Sequence, residues 1–366
     1  MPRELLGQSA EELREFAVSL GEKPYRGAQL YHALYAERRL DFAAMTNIPA
    51  AFRARLASED GGRITPPCVL RRFPSADGSI RYLCAIGDEE KKPAQIEAVF
   101  MPREGRQTIC ISTQAGCAVD CHFCLTAQLG LIRNLTAGEI VGQVLVALEE
   151  NRGQLAPQTN VVLMGQGEPL LNYDATMAAV RILLDPKGVA LAPRHVTLST
   201  SGIVPGIERL AREKIRPSLA ISLNASSDEQ RDALMPINRK YPLETLLGAC
   251  RNYPLRPREY FTFEYVLLGG VNDSPEDARR VVRLLAHIRA KVNLIPWNPG
   301  NLPYRAPSPE TIEEFQRILM GKSLPAFIRY SRGQDVFAAC GQLALMETPS
   351  PFVALQWKLN VRDRAV

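Results

Sequence analysis

Between residues 108 and 345 the chain alternates short apolar, β-branched runs with amphipathic runs of helical period. The strand-like runs are "TICIST", "NVVLMG", "HVTLST", "SLAISL", "FTFEYVLL" and "KVNLIPW". The clearest helical runs are "TAGEIVGQVLVALEEN", where Thr136 and Glu139 form a capping box, and "SPEDARRVVRLLAHIRA", with Pro275 in its first turn. Six strand–helix units in series predict an α/β fold with a parallel sheet, open or curled into a partial (β/α)6 barrel. Right-handed crossovers bring the C-terminal ends of such strands to one rim. The loops on that rim are where barrels carry their active sites.

The preceding residues have a different texture. Residues 1–60 read as three short helices: "SAEELREFAVSL", opened by a Ser9 and Glu12 capping box, "RGAQLYHALYAERR", and "MTNIPAAFRARLASE" with Pro49 near its start. Residues 65 to about 113 read as extended. "CVLRRF" and "SIRYLCAI" flank Asp77-Gly78, a hairpin signal, and "QIEAVFMP" and "QTICIST" flank "REGR". The expected organisation is an N-terminal helical domain over 1–60, a small β-meander linker over 61–107, the barrel over 108–345 and a C-terminal tail over 346–366.

Composition excludes little. The 366 residues are 46% hydrophobic and 23% charged, an ordinary globular balance. No apolar run has the length of a membrane span, and the charged N-terminus lacks a secretory apolar segment, so a cytoplasmic location is expected. The net charge of +5 permits a nucleic-acid partner without requiring one. The local basic runs, Arg251 with Arg256 and Arg258, and Arg329 with Arg332, read as solvated faces.

The rim loops hold the chemistry. After the first strand comes "CISTQAGCAVDCHFC", in which Cys117, Cys121 and Cys124 are spaced C-x3-C-x2-C. Clustered cysteines in a cytosolic chain suggest metal binding or catalysis. Structural zinc wants four ligands, usually in two pairs, and His122 would strain to turn inward between two candidates. Three thiolates on one loop suit a cubane iron–sulfur cluster with one iron open to an external ligand. On spacing alone, zinc and unrelated cysteines stay open. The later loops are "MGQGEP" with Gly165, Gly167 and Glu168, "STSG" with Ser199, "SLNA" with Ser222, Leu223 and Asn224, and "PWNPG" with Asn298. Each alone reads as a turn or cap; their shared rim makes them candidate ligand groups. Taken singly, Cys110 reads as a buried strand thiol, Cys340 as a loop cysteine and Glu97 as an exposed strand carboxylate. Cys68, Cys84 and Cys250 match no motif and read as structural.

The cysteine loop following the first strand of a βα series resembles the signature of the radical S-adenosylmethionine superfamily. That resemblance implies a 4Fe-4S cluster on Cys117, Cys121 and Cys124, with S-adenosylmethionine chelated to the open iron and reductively cleaved to a 5′-deoxyadenosyl radical. It implies cofactor contacts from Gly167, Glu168, Ser199, Ser222, Leu223, Asn224 and Asn298. Further stretches, among them "GEKPYRGAQLYHALY", "RNLTAGEIVGQV", "MPINRKYP", "FEYVLLGGVNDS" and "AACGQL", resemble ribosomal RNA adenine methyltransferases of the RlmN/Cfr type, over residues 22 to 343 and in order.

The family resemblance implies roles for the outer cysteines. Cys340 would first be methylated by one S-adenosylmethionine, and a second would supply the radical that takes a hydrogen from that methyl. The resulting methylene radical would add to an adenine carbon. Loss of an electron and a proton from that adduct, with attack by the Cys110 sulfur on the Cys340 sulfur, would then free the methylated base and leave a transient disulfide, with Glu97 as proton acceptor. A tethered carbon radical suits this chemistry, because carbon 2 of adenine is electrophilic and cannot take an electrophilic methyl directly. The implied activity is methylation of adenine carbon 2 in 23S rRNA, with the adenine beside the tRNA anticodon as a second substrate and flavodoxin or ferredoxin as electron donor. The N-terminal helices and meander would grip folded RNA, with the target base splayed out of its stack. Two competing expectations are methylation at carbon 8, which confers antibiotic resistance, and a non-enzymatic RNA-binding protein with an iron–sulfur or zinc site. Two departures stand out: Asn224 replaces the family's usual His, and "CLTAQLG" replaces a "CATG"-type stretch. Asn still donates and accepts hydrogen bonds but carries no proton.

Overall fold

Ten strands form the main sheet of the computed structural model, which describes residues 2–87 and 93–345. They are β1 (Cys68–Pro74), β2 (Ile80–Ile86), β3 (Ala94–Arg103), β4 (Arg106–Cys110), β5 (Gln158–Leu163), β6 (Val196–Thr200), β7 (Ser218–Ser222), β8 (Phe261–Leu267), β9 (Ala290–Pro296) and β10 (Ala326–Ile328). Their order in space is their order in the chain. β1 to β4 pair antiparallel, and β4 to β10 pair parallel. The meander and the barrel therefore share one sheet, in which Cys110 of β4 pairs with Val99 on β3 and with Val162 on β5. The proposed tail over 346–366 lies outside the described residues.

Local chemistry sets the turns. Gly78 takes φ +82° at the β1–β2 hairpin, where Asp77 Oδ1 accepts the Ser79 N–H at 2.8 Å. Glu104 and Gly105 close the β3–β4 hairpin between the paired Arg103 and Arg106. The six expected parallel strands are β4 to β9. A seventh, β10, goes beyond the sequence reading. It is three residues long and exposes Phe327, so it carries no apolar run to betray it; pairing with β9 makes it a strand. The sheet stays open, with β1 and β10 as its edges, as a partial barrel does.

Helices α4 (Ala137–Glu150), α5 (Tyr173–Leu184), α6 (Val204–Ala211), α7 (Asp228–Leu234), α8 (Leu243–Asn252), α9 (Pro275–Leu285) and α10 (Pro309–Met320) make the crossovers. The expected capping boxes form at Thr136 with Glu139 and at Ser9 with Glu12. Helices α1 (Ala10–Ser19), α2 (Tyr25–Tyr31) and α3 (Ala50–Leu56) dock on the barrel, and one apolar core runs from Leu5 and Phe16 through Phe263 to Leu319. Tyr31 donates to Asp185 Oδ2 at 2.9 Å across that junction. Arg332 is not a solvated charge. It donates to the carbonyls of Asp77 and Pro102 and fastens the C-terminal segment to the meander. Among the described residues no helix is long and apolar enough to cross a membrane.

Candidate active site

Two cavities open beside the C-terminal ends of the parallel strands, and Cys340 lines both. The first holds about 200 Å³. Its walls include Cys117, Cys121 and Cys124, with Gly167, Glu168, Ser199, Ser222, Asn224 and Asn298 from the later loops. The second holds about 250 Å³ and is lined by Cys110, Met101, Val162, Arg329, Tyr330 and Leu343. The fold thus gathers residues from five rim loops and brings Cys340 between them. Two candidates lie elsewhere. Leu223 is fully buried, its N–H donating to the Glu264 carbonyl at 2.9 Å. Glu97 lines neither cavity.

Each loop is tightly held. Gly167 has φ +101°, and a Cβ there would lie 2.6 Å from the Gln114 Cβ, so only glycine passes this turn without displacement. Glu168 is buried and fully engaged: Ser201 donates from N at 2.6 Å and from Oγ at 2.8 Å, and Leu170 N donates at 3.0 Å. Asn224 sits at φ +56° and accepts the Val266 N–H at 2.8 Å. That bond asks for an acceptor, which the amide oxygen supplies. Asn298 Nδ2 donates to the Cys340 carbonyl at 2.9 Å, and its Oδ1 accepts from Gln334 at 2.8 Å. The Cys340 segment also packs on the cysteine loop, through Leu125 N to Gly341 O at 2.8 Å and Thr126 Oγ1 to Leu343 O at 2.7 Å.

Sequence reasoning missed two charged residues. Arg231 is fully buried and donates to the carbonyls of Ser201, Ser222 and Leu223, tying the loops after β6 and β7. Burial lowers its guanidinium to about 10, and Cys121 acts the other way. Glu264 lines the first cavity from the middle of β8, and burial raises its carboxyl to about 7 against the pull of Asn293, Arg329 and Lys291. A carboxylate inside the otherwise apolar "FTFEYVLL" was the available signal.

The thiols are costly to ionise. Burial pushes Cys117 up to about 11, Cys121 well above the ordinary range, and Cys110 far up, helped by Cys340. Cys340 is exposed as a residue, yet the walls around its sulfur and the nearby Glu264 and Cys124 raise it to about 11. Glu97 is not the exposed strand carboxylate of the single-residue reading. It is fully buried against Arg81, and its Oε2 accepts from Gln166 at 3.3 Å and Leu345 N at 3.0 Å. Burial raises its carboxyl, with Arg81 opposing.

The donor set fits an iron–sulfur cluster. Among the described residues no three Cys, His, Asp or Glu side chains close around one metal ion. His122 is no fourth ligand to the group, for it lines neither cavity and its nearest carboxylate is Asp120 at 3.9 Å. A cubane asks for a looser arrangement, because each thiolate meets its own iron. Val119 N–H donates to Cys117 Sγ at 3.5 Å, and the Arg231 cation lies beside Cys121, both favouring thiolates.

Residues 111–284 match the model of the radical SAM superfamily, and residues 3–60 match that of the ribosomal RNA large subunit methyltransferase N-terminal domain. Fold and site together define a radical SAM protein. A radical SAM methyltransferase from Sphaerobacter thermophilus superposes with a TM-score of 0.87 at 44% identity, covering 93% of this chain and 99% of that one. The dual-specificity RNA methyltransferase RlmN of Anaeromyxobacter dehalogenans is 48% identical over 91% of this chain and 90% of its own. RlmN of Geobacter sulfurreducens is 44% identical over 93% and 91%. The chain belongs to the RlmN family.

Proposed function

We propose that the protein methylates carbon 2 of an adenine in 23S rRNA and of the adenine beside the tRNA anticodon. The observation that carries this reading is Cys340 lining both cavities, one walled by the three loop cysteines and the other by Cys110. Relatives named as dual-specificity RNA methyltransferases support an RNA substrate and a second RNA target. When bound on Cys117, Cys121 and Cys124, the cluster with S-adenosylmethionine, two per turnover, supplies the methyl group and the radical. A flavodoxin- or ferredoxin-type electron donor and a cytoplasmic location belong to the same reading.

Cys340 carries the methyl group as S-methylcysteine at the boundary between the cavities. Asn298 holds its backbone in place. Gly167, Glu168, Ser199, Ser222 and Asn224 shape the cosubstrate cavity. Cys110 frees the product by attacking the Cys340 sulfur. Its thiol is raised rather than lowered by burial, so this attack needs a base. Glu97 is the candidate proton acceptor. Its Oε2 is capped by the N–H of Leu345, in the segment that follows Cys340, so taking a proton calls for that segment to shift.

The test uses two variants. Cys110→Ala is expected to accumulate a covalent enzyme–RNA adduct, whereas Cys340→Ala forms none and acquires no methyl group. Normal turnover by Cys110→Ala would overturn the proposal. Mass spectrometry of the nucleoside should give 2-methyladenosine; an 8-methyl product would reassign the target carbon.

A further inference from the structure

Glu264 turns its carboxylate into the first cavity from the middle of β8, and only 9% of the residue is exposed. Asn293, paired with it on β9, donates from Nδ2 to Oε1 at 2.9 Å. Arg329 Nε donates to Asn293 Oδ1 at 3.1 Å, which fixes the amide with its NH2 toward the glutamate. Among the described residues no hydrogen-bond donor reaches Oε2. A buried carboxylate oxygen left open to a cavity is destabilising unless something bound there uses it.

Cys340 lines the same cavity, and Glu264 is the charged group that acts most strongly on its thiol. Methylation of Cys340 requires its sulfur as a thiolate. To reach that state the thiol needs a proton acceptor on the walls of its own cavity, and Glu264 is one. The other nearby carboxylates are occupied. Glu168 is held by Ser201 and Leu170, and Glu97 lines neither cavity.

We infer that Glu264 is the proton acceptor for the Cys340 thiol during its methylation, an assignment that rests on the function proposed above. In that step the Cys340 S–H bond breaks and the proton passes to Glu264 Oε2. The sulfur electron pair forms the new S–CH3 bond. The bond between that methyl and the sulfonium breaks, and its electron pair stays on the departing thioether. Carboxylate and sulfonium charges cancel, so the step ends neutral. The charged and titratable groups around Glu264 are Lys291 on the neighbouring β9 and Arg329 just past β10, with Cys340, Glu168 and the three loop cysteines on the other cavity walls. Burial sets against Lys291 and Arg329 to hold the carboxyl at about 7, a value suited to a base at neutral pH.

The test is Glu264→Gln in anaerobically reconstituted enzyme without RNA. S-methylation of Cys340 is followed by peptide mass spectrometry from pH 6 to 9. The wild type should rise with pH and level off above about 7. The variant should be slower at pH 7 by about 100-fold and climb steadily with pH. Alkylation of Cys340 by iodoacetamide should move the opposite way, to lower pH, because a negative neighbour is gone. A methyl acceptor that slows while its thiol becomes more acidic has lost a base, not merely a neighbour. Glu264→Gln methylating as fast as the wild type overturns the assignment. If that variant loses its iron, Glu264→Asp replaces it, and a pH profile without a plateau likewise overturns the assignment. A wild-type enzyme that never acquires a methyl on Cys340 overturns the proposed function as well.

Discussion

Asn298 Nδ2 donates to the backbone carbonyl of Cys340 at 2.9 Å, joining the loop after β9 to the segment that carries the methyl acceptor. The same amide reaches Ser331 Oγ at 2.9 Å and accepts from Gln334 at 2.8 Å. Three elements near the cavity mouth therefore depend on one side chain.

Asn298→Ala should release Cys340 without unfolding the barrel. A lost buried hydrogen bond of about 1–3 kcal/mol predicts a 10- to 100-fold fall in RNA methylation. Iron content should be unchanged and the melting temperature lowered by a few degrees. Iron analysis, calorimetry and methyl transfer to RNA check the three parts, and unchanged methylation would remove Asn298 from the positioning role.

Glu97→Ala leaves the fully buried Arg81 without its carboxylate. Breaking a buried pair from one side costs about 3–5 kcal/mol. The variant should unfold at markedly lower denaturant. The double variant Arg81→Met with Glu97→Leu should recover much of that stability while remaining inactive, if Glu97 takes a proton.

Glu264→Gln should be more stable than the wild type at pH 8. The folded carboxyl is raised to about 7 from 4.5, so the folded state holds its proton where the unfolded state has lost it. That stabilisation is full below the unfolded value and is lost as pH rises from about 4.5 through 7. Gln has no such loss. The gain in melting temperature should therefore shrink as pH falls from 7 to 4.5, and a gain independent of pH would contradict it.

Gly167→Ala forces a Cβ to 2.6 Å from Gln114 at φ +101°. Strain of about 1–3 kcal/mol should move the turn that carries Glu168. Weaker S-adenosylmethionine binding, measured by equilibrium dialysis, is expected with the iron content intact.

Much of this architecture was legible because it is written locally. Strand runs, capping boxes, Asp77-Gly78 and the three-cysteine loop each depend on residues a few positions apart. The partners of the site residues were not. Glu264 meets Asn293, Arg231 meets three loop carbonyls, Asn298 meets Cys340 and Arg81 meets Glu97 only after strands take their register. β10 is a strand only because β9 offers it an edge.

Three thiols on one loop at the rim of a parallel sheet follow from period and spacing, which are properties of the chain. Packing in three dimensions is what sets Cys340 between two cavities, with Cys110 in one and Glu264 in the other. Those side chains come from β4, from β8 and from the loop that carries Cys340. No local propensity relates them; sheet register and the docking of that loop against Leu125, Thr126 and Asn298 do.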